Sequence, residues 1–106
     1  MTETEFLRHA EATLEAIEAS LEASGLDVEC SRAGNVLTIE LEDGSRIVVN
    51  TQAPTRQIWV AARSGGFHFA ADGAAWRDTR SGAELFAVLS RILSEQGGQP
   101  VVLRGR

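Results

Sequence analysis

Between Asp27 and Arg77 apolar and polar residues alternate with period two, and on either side lies a segment whose apolar residues recur every three or four positions. No other feature constrains the fold as much. Successive side chains of a strand point to opposite faces, so an alternating strand buries one face and wets the other. Strands of that kind need a single covering layer, and two flanking amphipathic helices supply one. The fold class expected is α+β: a two-layer sandwich, with two helices packed on one face of an antiparallel sheet of five to six strands.

The first helical segment runs from about Glu3 to Ser24. Phe6, Ala10, Leu14, Ile17 and Leu21 fall on one stripe, and Gly25 stops the helix. In Asp27–Ser31, Val28 and Cys30 are expected to face the core, opposite Asp27, Glu29 and Ser31. Leu37, Ile39 and Leu41 make the apolar face of the next strand, and Asp43-Gly44 is a tight hairpin signal before Arg46–Asn50. Pro54 breaks the run, and Gln57–Ala62 is the following strand. Ser64-Gly65-Gly66 turns the chain into Phe67-His68-Phe69, and Asp72-Gly73 turns it again before Ala75-Trp76-Arg77. The second helix is expected to start at Ser81, because Ser81 and Glu84 match the S-x-x-E capping box. Leu85, Phe86, Leu89, Ile92 and Leu93 form its apolar face, Gly97-Gly98 stop it, and Val101–Leu103 are expected to pack along the rim.

A chain of 106 residues suits one domain, here residues 1–106, with no internal repeat or long linker. One cysteine excludes an intrachain disulfide and a thiolate zinc site. The first residues lack the basic and apolar regions of a signal peptide, and no apolar run approaches a membrane span, so a cytoplasmic location is expected.

The net charge of −5 argues against nucleic acid or an anionic membrane as partner, since phosphate binding needs a basic face. Its distribution says more. The first 29 residues hold Glu3, Glu5, Glu11, Glu15, Glu18, Glu22, Asp27 and Glu29 against Arg8 alone, a net −7; the remainder carries +2. On a helical wheel Glu11, Glu15, Glu18 and Glu22 lie within about 60° of one another, forming an acidic ridge beside the apolar stripe. Like charges at this spacing cost a helix about 1 kcal/mol in all. The residues leave two readings open. One is a solvated helix face. The other is a low-affinity surface for hard cations such as iron, manganese or calcium, extended by Asp27 and Glu29.

The uncovered sheet face is the second candidate. With Ile58 and Val60 inward, Gln57 and Trp59 face water, joined by Asn50 and His68 from the neighbouring strands. A solvated Trp among polar groups has the composition of a binding hot spot. The competing reading is that a loop partly covers Trp59 and it fills a gap. Trp76, beside a turn, is expected to plug the sheet edge instead. Nucleotide-binding loops and the nucleophile motif G-x-S-x-G are absent, and nothing selects a catalytic pair, so no enzyme is expected.

The run NTQAPTRQIWVAARSGGFHF, with its N-x-Q-x-P-x-x-Q-I-W pattern at Asn50–Trp59, resembles the signature segment of the frataxin family, in its bacterial branch. The similarity extends over nearly the whole chain, through the acidic first helix, the hairpin VLTIELEDGSRIVVN and the D-x-R-S-G entry to the last helix. The resemblance implies an iron-binding protein of iron–sulfur cluster biogenesis, monomeric when free of metal. Such a protein acts as iron donor or iron-dependent regulator of the cysteine desulfurase and scaffold complex. It implies weak ferrous or ferric iron at Glu11, Glu18, Glu22, Asp27 and Glu29, with Glu15 and Glu3 as additional acids. It implies partner contact at Asn50, Gln52, Gln57 and Trp59, with His68 on the same face. The alternative function is an iron-independent inhibitor of the desulfurase; ferroxidase activity would need a close pair of iron sites. Leu7 and the carboxylate-poor end of the first helix depart from the family pattern and imply fewer or weaker metal sites.

Overall fold

The computed structural model describes residues 1–105. Its elements are α1 (Glu3–Ser24), β1 (Val28–Ala33), β2 (Val36–Leu41), β3 (Arg46–Gln52), a 3-10 turn at Ala53–Thr55, β4 (Gln57–Ala62), β5 (Gly65–Asp72), β6 (Ala75–Asp78) and α2 (Leu85–Gly97). All six strands pair antiparallel in chain order. Each strand returns beside its predecessor through a short turn, so the sheet is a meander, and both helices lie on its one buried face.

The alternation sets the register. Leu37 lies opposite Val49, Ile39 opposite Ile47, Val49 opposite Val60 and Ile58 opposite Phe69, and these residues are buried against the helices. Phe6, Ala10, Leu14, Ile17 and Leu21 of α1 and Leu85, Leu89, Ile92 and Leu93 of α2 close the core from the other side. Each large side chain withdrawn from water in this way contributes about 1.5–3 kcal/mol before entropy. Leu103 is buried and Val101 partly so. Ser90 and Ser94 hold this tail on α2 by accepting from the backbone N–H groups of Leu103 and Val101, at 2.8 and 3.0 Å.

Trp76 enters the core from β6. Its ring meets Phe6 edge-on and its indole N–H donates to the Thr13 hydroxyl at 2.8 Å. That hydroxyl itself donates to the His9 carbonyl at 2.9 Å. A buried threonine on the apolar side of α1 is thereby satisfied twice. At the opposite end Gln96 donates to the Ser45 hydroxyl and accepts from the Arg63 backbone N–H, tying α2 to two hairpin turns.

Three expectations are corrected. The second helix begins at Leu85, not at Ser81. Gly82 adopts φ 76°, a left-handed conformation that no helix tolerates, and its N–H closes a turn onto the Asp78 carbonyl. Glu84 is the N-cap, its carboxylate accepting from the Phe86 and Ala87 backbone N–H groups. Cys30 is exposed rather than in the core. It lies opposite Ile39 and does face the helix layer, but β1 is the edge strand and α1 does not cover it. Finally, β5 begins at Gly65, so the turn from β4 is confined to Arg63-Ser64. A capping box at the start of α1 follows the same S/T-x-x-E spacing: Thr2 and Glu5 bond each other's backbone N–H groups.

Two measurements test this architecture. Thr13→Val leaves the buried Trp76 indole N–H without an acceptor and should cost about 1–3 kcal/mol in urea denaturation; a change near zero would show that the bond contributes nothing. At the β2–β3 hairpin, hydrogen bonds from Ser45 and Arg63 hold the Asp43 carboxyl down to about 2. A depressed folded-state pKa gives stability that is full above the unfolded value of 3.8 and fades as pH falls toward about 2. The stability advantage of the natural chain over Asp43→Asn should therefore shrink across that window and be constant above it.

Candidate functional site

The α1 ridge runs along the β1 edge of the sandwich. Glu11, Glu15 and Glu22 are exposed and Glu18 is half-buried. Arg32, opposite Leu37 on the helix-facing side of β1, reaches across to this ridge. Its Nη2 donates to Glu11 Oε2 and its Nη1 to Glu18 Oε1 at 3.3 Å. Its Nε points to the Gly34 carbonyl at 3.4 Å. Arg32 is 20% exposed, against 56% and 37% for Glu11 and Glu18. The structure thus gathers Glu11 and Glu18 on one guanidinium, while Glu15 and Glu22 make no ion pair among the described residues.

The remaining acids lie elsewhere. Glu3 is exposed in the first turn of α1, about two turns before Glu11, where the helix N-terminus favours negative charge. Glu29 pairs with Glu40 and so faces the open side of the sheet, away from Arg32. Those two like charges oppose each other directly, with Arg46 3.7 Å from Glu40 as partial relief. Asp27, Glu29, Glu40 and Glu42 surround a shallow depression beside Gly44. Around this edge the acidic surface therefore spans both faces of the sandwich. Among the described residues no three His, Cys, Asp or Glu side chains converge closely enough to hold a metal ion. The chemistry of the donors suits a hard, weakly held cation, and their spacing does not form a chelating cage. At Cys30 desolvation, with the Glu18 carboxylate nearby, pushes the thiol pKa up, which leaves it a poor thiolate ligand.

His9 stands apart from the ridge. Its ring stacks on Trp76 at 4.6 Å, and its Nε2 is buried with no hydrogen-bond partner among the described residues. It lines a cleft of about 400 Å³ between α1, β6 and the start of α2, together with Thr13, Ala75, Trp76 and Glu84.

On the open face of the sheet, Asn50 lies opposite Trp59 and Trp59 opposite His68, so the three form one row across β3, β4 and β5. Gln52 lies opposite Gln57 in the adjacent row. Trp59 is half-buried and His68 exposed. The two rings stack 4.3 Å apart at 8°, and the Trp59 indole N–H donates to Gln57 Oε1 at 2.8 Å. His68 stacked on one face and Gln57 bonded to the N–H shelter the indole in part. A flat aromatic held in place in this way loses little entropy when a partner lands on it. Sequence reasoning found this row by alternation. It missed Arg32, because an arginine in a strand reads as a solvated side chain until α1 is placed beside it.

The frataxin-like domain model matches residues 1–99. The iron–sulfur cluster assembly protein CyaY of Janthinobacterium sp. (strain Marseille) is 63% identical, with 98% of this chain and 97% of that protein covered. CyaY of Herminiimonas arsenicoxydans is 60% identical over the same shares. Among solved structures, frataxin from Psychromonas ingrahamii superposes with a TM-score of 0.92 at 33% identity, covering 98% and 99% of the two chains. Trimeric frataxin from Saccharomyces cerevisiae, complexed with ferrous iron, superposes with a TM-score of 0.72 at 26% identity, covering 86% and 87%. By sequence and by fold the chain belongs to the frataxin family, in its CyaY branch.

Proposed function

We propose that this protein serves iron–sulfur cluster assembly in the cytoplasm, as a donor of weakly held iron or an iron-dependent regulator of the cysteine desulfurase and its scaffold. Family membership carries the reading, since its bacterial relatives are named as cluster assembly proteins. Two surfaces divide the work. The α1 ridge, Glu11, Glu15, Glu18 and Glu22 with Glu3, Asp27 and Glu29 around it, concentrates ferrous or ferric iron and steers basic partner surfaces by long-range attraction. The open-face row of Asn50, Trp59 and His68, beside Gln52 and Gln57, makes the short-range contact. Its stacked aromatic pair is the anchor.

A second reading is favoured by one observation. Arg32 already engages two ridge carboxylates, and no three potential ligands converge among the described residues. On that reading the chain binds the desulfurase without physiological metal. Measuring desulfurase binding with and without a strong iron chelator separates the two, since only the iron-dependent reading loses affinity.

Replacing Glu18 and Glu22 together by Lys should weaken both iron binding and desulfurase association, and association should also fall as salt rises. If calorimetric titration finds both unchanged, the ridge plays neither role. Trp59→Ala should lower affinity for the assembly complex by about tenfold or more, as loss of an aromatic anchor does. Thermal unfolding should stay cooperative, because the indole is half-buried and outside the core. Collapse of the fold instead would make Trp59 a structural residue.

A further inference from the structure

We propose that Arg32 is a built-in counter-ion of the ridge, which a divalent cation must displace before it can use Glu11 and Glu18. The inference rests on the iron reading of the ridge given above and concerns how that surface is tuned.

Glu11 and Glu18 stand two helical turns apart, too far along the axis for a small ion to draw both carboxylates into one coordination sphere without rearrangement. A guanidinium is suited to the gap. It is planar, permanently charged and carries five donors in a fixed fork on a long stem. Arg32 engages all three nitrogens of that fork: one Nη on each carboxylate, and Nε toward the Gly34 carbonyl of the β1–β2 turn. The stem leaves β1 beside Cys30 and opposite Leu37, and the side chain is only 20% exposed, so the group is placed by the strand rather than drifting over the surface.

Two consequences follow for metal binding. The positive charge repels an approaching divalent cation, and it occupies the lone pairs that cation would take. The acidic stripe is also less mutually repulsive than its four glutamates alone would be, which lets α1 keep the cluster. Ion pairs at a surface are weak enough to be exchanged, so Arg32 sets the affinity of this half of the ridge without abolishing it. Glu15 and Glu22 remain outside its reach.

The test is titration of the full chain with manganous ion, a redox-stable hard cation, at low ionic strength by calorimetry. Arg32→Gln should tighten binding by about three- to tenfold, the effect of removing a unit charge next to the ion. Arg77→Gln removes the same charge from β6, at the other edge of the sheet, where the side chain pairs with Asp72, and should change affinity by less than about twofold. The gain from Arg32→Gln should vanish in a chain that also carries Glu11→Gln and Glu18→Gln. Circular dichroism checks folding; if Arg32→Gln does not fold, Arg32→Lys, which reaches one carboxylate instead of two, should give a smaller gain in the same direction.

If the natural chain binds manganese and Arg32→Gln binds no more tightly, or gains no more than Arg77→Gln, the counter-ion role is overturned and the iron reading stands. If only the Arg32 variant binds, the role is supported and iron binding by the natural chain is overturned. If neither binds, both fall.

Discussion

Two helices can cover one face of a six-stranded sheet and no more. Everything else about this protein follows from that limit. The core has to be built from the inward half of every strand plus one stripe of each helix, so each strand alternates and each helix is amphipathic. The outward half is left in water across the full width of the meander. An uncovered face of that size need not be idle, and here its centre carries Trp59 stacked on His68 with Gln57 bonded to the indole. The residues that face water do so because their neighbours in sequence were needed inside.

The same geometry creates an edge problem at β1. The helix layer is narrower than the sheet, so the first strand is half-covered: Val28 packs partly on the core while Cys30, two residues on, is exposed. Arg32 resolves the next position by laying its stem against the layer and placing its charge on the acidic side of α1. The acidic ridge is consequently a mixed-charge seam on one side and bare carboxylates on the other. Net charge, or even charge located on a helical wheel, does not reveal this, because the neutralising group comes from another element.

Trp76 and Thr13 make a comparable pair in the core. A buried indole N–H without an acceptor is unfavourable, and Thr13, whose hydroxyl already donates to the His9 carbonyl within α1, supplies that acceptor. Joined by one hydrogen bond across 63 positions of sequence, they satisfy each other and lock β6 onto α1.

The sequence by itself determined the period of every major element, hence the two-layer class, the inward set of Leu37, Ile39, Leu41, Ile58 and Val60, and the shared face of Asn50, Trp59 and His68. Those conclusions need only local geometry, in which a side chain's direction follows from its position in the repeat. Family membership was legible too, in the Asn50–Trp59 pattern. The start of α2 was misread because the capping box at Ser81 is a local rule, and the left-handed Gly82 with the turn onto Asp78 overrode it. The exposure of Cys30 was misread because alternation gives the direction of a side chain but not how far the covering layer extends. Pairings across the chain, Arg32 with Glu11 and Glu18 or Trp76 with Thr13, were decided only by the tertiary structure. They depend on the distance between elements, and no periodicity within one segment encodes that.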